Sequence, residues 1–514
     1  MRPSTKHQNQ QTVILNDFTG GMNTNDSDEM IAQNQMSYLV NMEIGKSGKL
    51  RTVQGTVDIA DISQYLSSDI ISAAWDEINS ALLLFCLQGA TYAMINGTVT
   101  RIGTLTGLEE VVTINWEDGL LIASGGKLQY AKYVTSGGTR AYKLTTINTS
   151  PAKCCGVYVR SGRVFVFDNQ DNLIYSAVGD EENWQQDSND PSAAIFTQIG
   201  YKVGGRIIGL INMQRFVLII KDNGKVFRLE NEFPDWVIQE VTSNGLCKGK
   251  HAYASVGNNV FILGDKTLQI ISPTDDQGNM PINYVGRQVD NEIASLPKRT
   301  KMRFNVDLNQ LWFITNSQWV LVYDCNTQTF FQRYFNSDVV DLVKNYIIKR
   351  GKISEISMTD GVMQDDGEPL EYRARFKTET TFHDLLVKKV ELDIMPLVDF
   401  YTDAAARVKV GKITVPFPDR VRSADGSRTR VVGVTDEAKE PEYSPVDGQW
   451  NESTGRWSVD NSADVFLNEE RVYHGMSLRY KKRQVSRSHM VNVELSGSGF
   501  PFILNFISYD RVEV

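Results

Sequence analysis

Six short apolar runs recur along the chain: ALLLF from Ala81, GLLIA from Gly119, RVFVF from Arg163, RFVLI from Arg215, NVFIL from Asn259 and QLWFI from Gln310. Their starts lie 38, 44, 52, 44 and 51 residues apart. Each run leads through a turn rich in Gly, Asn and Asp to a second, more mixed strand, such as NLIYSAV after DNQD or KVFRLE after KDNG. Those residues tolerate the positive φ angles that tight hairpins demand. The first runs are apolar on both faces, so the sheet that holds them must be covered on both sides. The second strands, interrupted by Gln129, Ser176 and Arg228, suit positions nearer to solvent. Several short strands repeated at this period predict an all-β fold, a β-propeller of six or seven unevenly spaced blades. Six units are legible, and a seventh can be placed around ISEISMTDGVM from Ile353.

The flanks do not share the repeat. Residues 1–70 read as an extended N-terminal docking segment with lead-in strands, and the GG and GKSG turns bracket a short helix expected near Ala32 to Val40. The propeller is expected over 71–370 and a C-terminal β-domain over 371–514. In that domain EYRARFKTET from Glu371 and LLVKKVELDIMP from Leu385 alternate as half-exposed strands do. A polar insertion covers about 400–465, and MVNVELSGSGFPFILNF near the end reads as a strand pair around a Gly-Ser-Gly turn.

Composition narrows the class. A chain of 514 residues exceeds one ordinary core, and 41% hydrophobic with 22% charged residues is the balance of a soluble globular protein. No apolar run is long enough to cross a bilayer, and MRPSTKHQNQQ has no signal core, so the chain is expected to be made in the cytoplasm. Five cysteines without CxxC spacing argue for reduced core thiols rather than a disulfide framework or a zinc site. A formal charge of −9 speaks against a broad basic face that grips nucleic acid.

Candidate chemistry is thin. IGKSGKL at Ile44 lacks phosphate-loop spacing, and no GxSxG elbow is present. The five histidines are scattered, and His251, at the start of a strand, reads as a satisfied structural histidine. DNQDN at Asp168, DDQGN at Asp275 and DDGE at Asp365 read as solvated hairpin tips, none with the ligand spacing of a calcium loop. No catalytic residue, no metal site and no cofactor is expected, and the chain is read as no enzyme. Two basic stretches remain, PKRTK at Pro297 and RYKKRQVSR at Arg479, either phosphate contacts or a solvated strand face or subunit contact.

Taken in order, GVYVRSGRVFVFDNQDNLIYSAVGDEENW, VGGRIIGLINMQRFVLIIKDNGKVFRLE and NGLCKGKHAYASVGNNVFILGDKTLQIISP resemble the propeller of bacteriophage tail nozzle and head-completion proteins, the packaged-DNA stabilisation proteins of short-tailed phages. The upstream DFTGGMNTNDSDEMIAQNQMSYLVNMEIGKSGKLRTVQG is similar to the same family's N-terminal motif, carried here by Phe18, Gly20, Gly21, Asn41, Gly48 and Leu50. The similarity covers about two thirds of the chain and departs most after Phe400. It implies a structural virion protein, assembled in the host cytoplasm. Its copies would form a homo-oligomer, a hexamer, below the portal and its adaptor (head–tail connector) ring. The propellers would lie outside, around a channel that retains packaged DNA and conducts it at ejection. Tail fibres, spikes or plug and needle proteins are the further partners implied, with only non-specific contact to the genome. Six chains of −9 make a ring of −54, a wall that repels passing phosphates. Lys298, Arg299 and Lys301 are the DNA-facing candidates that would make a local exception. The alternatives are a tail-fibre or host-attachment adaptor of the same virion, a glycan-binding or glycan-degrading propeller, for which the Asp-box turns and an arginine cluster are missing, and an interaction scaffold of the WD-repeat kind, for which the Gly-His and Trp-Asp signatures are missing.

Overall fold

The structure, a computed structural model, describes residues 10–136, 139–187, 189–213, 216–231, 236–273, 280–357, 363–397, 478–499 and 501–513, and between 398 and 477 only short strands. The chain divides into two compact units by contact rather than by chain order. One holds 58–322 and 337–355, the other 1–57, 323–336 and 356–514.

The first unit is the propeller. Five consecutive four-stranded antiparallel sheets, each an up-and-down meander, run from Ile70 to Val285. Their first strands, among them Val112–Trp116, Gly156–Arg160, Ile207–Met213 and Tyr253–Val256, touch one another in succession and continue to Lys301–Asn305 of blade 6, so these strands line the axis. The apolar runs of the sequence are the second strands. Ala81–Cys86, Gly119–Ala123 and Phe216–Lys221 are buried along their whole length. Each is hydrogen-bonded on both edges within its own blade, and its two faces are covered by the neighbouring blades. Leu83 and Phe85 pack with Leu120 and Ile122 toward blade 2, while Leu82 and Leu84 pack the other way against Val340, Ile348 and Ile353. This is why such strands show no alternation.

Blade 7 is composite. Its inner strand is the end of Thr329–Val343, followed by Tyr346–Lys349 and Lys352–Ile356, and its outermost strand is Thr56–Asp61, from far upstream. Ser354 donates to Asp58 at 2.9 Å and the Ile62 amide to the Gly351 carbonyl at 2.8 Å. The ISEIS run is therefore the third strand of the seventh blade. Its apolar second strand, YIIK, is too short to stand out in a repeat search.

The loop that follows the RVFVF hairpin folds back on itself. Arg163, buried, donates to the carbonyls of Ser176, Ala193 and Pro191 at 2.6–2.8 Å, so one guanidinium gathers both ends of the segment 176–193. Gly179, at φ +68°, makes the turn between them, and the Trp184 indole donates to the Glu181 carbonyl.

The second unit contains two large sheets. One carries the strands Met42–Ile44, Leu50–Thr52, Phe502–Glu513, Glu379–Pro396 and Leu478–Val491, with Gln10–Leu15 paired to Phe502–Glu513. The other includes Gln35–Val40, Glu371–Phe376, Val493–Ser498 and Ala406–Val410. Two sequence expectations change here. The segment expected as a helix near 32–40 is the strand Gln35–Val40, because Met36, Leu39 and Val40 are claimed by sheet pairing with Glu371–Phe376. The two strands around Gly-Ser-Gly belong to different sheets and do not form a hairpin. The polar insertion at about 400–465 and the DDQGN turn at Asp275 lie largely outside the described residues.

Asn41 ties this unit together. At φ 51° its backbone turns sharply, a conformation Asn tolerates better than most residues. Its side chain donates to the carbonyls of Tyr334 and Glu371 at 3.2 and 2.6 Å and accepts from the Tyr334 amide at 2.9 Å. Replacing Asn41 with Ala strands these buried backbone groups, and at ~1–3 kcal/mol for each group left unsatisfied a large loss is expected. Asn41→Ala should lower the denaturant midpoint of this unit in equilibrium unfolding, and an unchanged midpoint would contradict the bridging role.

Candidate functional site

Two constellations stand at the axis of the propeller. Both include residues of the basic stretch at 297–301, which enters the inner strand Lys301–Asn305.

The first is a carboxylate clasp. Asp341, fully buried on the inner strand of blade 7, accepts from Arg303 Nε at 2.7 Å and Nη2 at 3.2 Å, both from blade 6. It also accepts from Ser72 Oγ at 2.9 Å and the Ala73 amide at 3.1 Å, both from blade 1. Its own strand supplies the Leu342 amide at 3.0 Å. Lys301 stands 3.4 Å away and donates to the carbonyls of Ile71 and Val340. One anion thus holds donors from three consecutive blades at the place where the ring closes. Burial pushes the Asp341 carboxyl up, but Arg303 and Lys301 outweigh it and hold it well below the usual carboxylate range. His251 lies beside this cluster. Burial, reinforced by the Arg303 and Lys301 charges, lowers its pKa to about 3, and its enclosed Nε2 has no hydrogen-bond partner. The expectation of a satisfied histidine is corrected accordingly: burial disfavours its charged form, two neighbouring cations reinforce that, and its Nε2 is left without a partner.

The second constellation is a polar cavity of about 560 Å³ walled by loops that lead into or between the strands of blades 2 to 6. Its charged lining consists of Glu109, Glu110, Asp168, Asp222 and Asp265 against Arg206, Lys248, Lys250 and Lys298, five acids and four bases for a formal −1. Most of these charges are committed. Lys250 pairs with Glu109 at 2.7 Å and Arg206 with Asp222 at 2.9 Å. Lys248 donates to the carbonyls of Ile293 and Leu296 at 2.7 and 2.6 Å, closing off the end of the short helix Asp290–Ser295. Burial raises the Glu109 carboxyl while Lys250 draws it down, and the net shift is downward. Cys155 and Cys247 also line the cavity, and burial pushes their thiols up to about 11 and about 12, far from the reactive thiolate range.

The DNA-facing candidates separate. Lys298 and Arg299 are exposed, and Lys298 lies on the cavity wall. Lys301 is only 8% exposed, and its ammonium is held by two carbonyls and Asp341, so the expectation that it faces DNA is corrected: it belongs to the clasp. The six motif residues of the N-terminal segment all serve the second unit. Phe18 is buried against Phe376 at 5.7 Å, and Leu50 is buried in its sheet. The Phe18 amide donates to the Gly48 carbonyl. Gly21 sits at φ +67°, and a Cβ there would meet Thr329 Cβ at 2.8 Å, while one at Gly20 would meet Gln35 Cγ at 2.6 Å. Of the second basic stretch, Arg479 is paired in register with Asp393 and Lys481 with Glu391 along two antiparallel strands. The hairpin tip at Asp168 is as expected, its carboxylate accepting from the Gln170 amide and from Asn172. Among the described residues no group of three or more His, Cys, Asp or Glu side chains is placed to hold a metal ion.

Asp341 and Arg303 were not singled out in the sequence. The available signal was an acid flanked by apolar residues in VVDLV and an arginine between Met302 and Phe304 in KMRFN.

No protein-family profile and no curated protein matches the chain. Among solved structures it is similar to the Neurospora crassa Pan2 WD40 domain, at 10% identity over 63% of this chain and 96% of that one, with a TM-score of 0.38. The Myceliophteria thermophila Cps50 (Swd1) β-propeller domain is 10% identical over 56% and 97%, with a TM-score of 0.39. The C-terminal WD40 domain of Sif2 is 14% identical over 59% and 99%, with a TM-score of 0.37. Likenesses this distant concern fold alone, and the propeller assignment stands on the strand order described above.

Two acid-sensitive groups lie in one cluster, and their pH windows differ. His251 titrates lower in the folded chain than its usual 6.5, so the unfolded chain binds the extra proton and stability falls as pH drops below about 6.5. Asp341 titrates below its usual 3.8, so its contribution is intact above that value and is lost as pH falls through it. Denaturant unfolding of the propeller should therefore weaken in two stages. His251→Asn should flatten only the first. Asp341→Asn, which removes the anion from half-buried Arg303 and buried Lys301, should cost about 3–5 kcal/mol at neutral pH and lose part of that deficit near pH 2. A pH-independent deficit would argue against the clasp.

Proposed function

We propose that the chain is a structural virion protein of the tail nozzle and head-completion type. Copies form a homo-oligomeric ring, a hexamer, under the head–tail connector, and the ring retains packaged DNA and conducts it at ejection. The observation that carries this reading is the role of the residues behind the resemblance. Phe18, Gly20, Gly21, Asn41, Gly48 and Leu50 make the close approaches and bridges of the second unit, so a likeness at those positions is a likeness of architecture. A shared catalytic centre would require reactive groups at matching positions, and these six serve packing and backbone geometry.

The electrostatics support a passive role. The cavity at the axis is close to neutral, its cations mostly committed to acids and carbonyls, and the whole chain is acidic. A wall of this kind offers phosphates little to hold. Buried high-pKa thiols and a neutral enclosed histidine fit no nucleophile or general base near pH 7. On this reading the protein is no enzyme and works by shape. Lys298 and Arg299 remain the pair that would touch the genome.

The reading of a tail-fibre or host-attachment adaptor draws on a different observation. Leu108, 70% exposed, Leu87 and Leu246 stand on the loops at the cavity end of the propeller, Leu246 in the cavity wall itself, and exposed leucines around a polar pocket suit a protein contact.

The position of the protein in the particle separates the two. A density label fused to the chain should appear in virion images as a ring directly below the connector, and a label at fibre tips, or none in the particle, would overturn the nozzle reading. In particles carrying Lys298→Ala with Arg299→Ala, premature DNA loss should rise while the thermal stability of the protein stays unchanged, since both side chains are exposed. Normal genome retention would remove the pair from any role at the DNA.

A further inference from the structure

In the first sheet of the second unit, four strands lie side by side in the order Gln10–Leu15, Phe502–Glu513, Glu379–Pro396 and Leu478–Val491. Each is antiparallel to the next, so chain direction alternates across the sheet and the first and fourth strands run in opposite directions. Gln10–Leu15 pairs on one side only; among the described residues no strand pairs with the other. On that open side every second residue presents an N–H and a C=O outward.

Proteins shield such edges with charges, prolines or very short strands. The outer strands of the blades show these devices: Arg101 in Thr98–Thr104, Arg140 and Lys143 in Thr139–Thr146, Glu240 in Val237–Thr242, and only four residues in Ile195–Gln198 and Ile282–Val285. The QQTVIL edge has none of them. It is six residues long and uncharged, and it carries the β-branched Ile14 51% exposed, while Leu15 is buried.

We propose that Gln10–Leu15 is a docking edge for a second copy of this chain, which adds its Leu478–Val491 strand to the sheet. This rests on the ring reading above and names the surface that builds the ring. Three observations select that occupant. Direction is right, because the alternation across the four strands makes the fourth strand of one copy antiparallel to the first strand of the next. Length suffices: among the described residues Leu478–Val491 is the opposite edge of the same sheet, its fourteen residues exceed the six of Gln10–Leu15, and the five-residue strand Ile413–Phe417 that approaches it is too short to cover it. Charge is compatible, because this strand, cationic in sequence, would meet an edge strand that carries no charge of its own. Two unlike edges joining head to tail form a heterologous contact, the kind that closes into a cyclic ring. The mode is strand addition, with main-chain hydrogen bonds supplying the attraction.

The test uses the full chain in native mass spectrometry across a concentration series, beside the Ile14→Lys variant. Ile14 is exposed, so the dilute variant should melt at the wild-type temperature. Its assembly midpoint should move to at least about 100-fold higher concentration, since the lysine must be desolvated against a cationic strand. Amide hydrogen exchange of residues 10–15 should slow by at least about tenfold on assembly of the wild type. A ring that forms equally well with Ile14→Lys, or exchange at 10–15 that does not respond to assembly, overturns the edge and leaves the nozzle reading standing. A wild-type chain that stays monomeric throughout overturns both the edge and the ring, while a label located elsewhere in the virion overturns the nozzle reading alone.

Discussion

Closure of the propeller ring is the constraint on which the first unit depends. A blade has two apolar faces and each must find a neighbour, so seven sheets are stable only when the last meets the first. The meeting point is Asp341, whose carboxylate takes donors from blades 6, 7 and 1 at once. A buried anion of this kind contributes little when compared with a well-packed apolar group, and it is strongly destabilising when one partner is lost. Its benefit is selectivity: the donors of three blades converge on it only when all three are in register.

The same closure explains the order of the chain. The outer strand of blade 7 comes from residues before blade 1, and its inner strand from residues after blade 6. The chain then leaves this unit on both sides, upstream of Asp58 and downstream of Glu355, and also between Val322 and Ser337. The second unit is gathered from those three separate stretches. Asn41 is its counterpart of the clasp, a single side chain that satisfies backbone groups at Tyr334 and Glu371, nearly three hundred residues away and more. Both units thus rely on a polar side chain inserted where distant segments meet, with the surrounding apolar strands excluding the water that would compete for it.

The functional reading follows from how fully charge is already used. Lys248 is matched to carbonyls, Lys250 and Arg206 to carboxylates, and Lys301 to the clasp. Of the basic stretch at 297–301, Lys298 and Arg299 are exposed, and among the described residues no strand pairs with the outer side of Gln10–Leu15.

The blades were legible because burial on both faces writes an unbroken apolar run, and the turns between strands write Gly, Asn and Asp. Sequence alone therefore determined the all-strand class, the repeat, the hairpin tip at Asp168 and the alternation of Glu371–Phe376, each a local pattern that follows from side-chain period and turn geometry. It could not determine which strand of a blade the apolar runs occupy, since an inner strand and a second strand differ only in what lies beside them. It misassigned 32–40, where sheet pairing with residues 371–376 overrode a local helix signal. The composite blade, the clasp of Asp341 with Arg303 and Ser72, and the burial of Lys301 were decided by tertiary structure alone. Each is a contact between residues from about forty to nearly three hundred positions apart, and an isolated charge in an apolar strand acquires its meaning only from the partner brought opposite it.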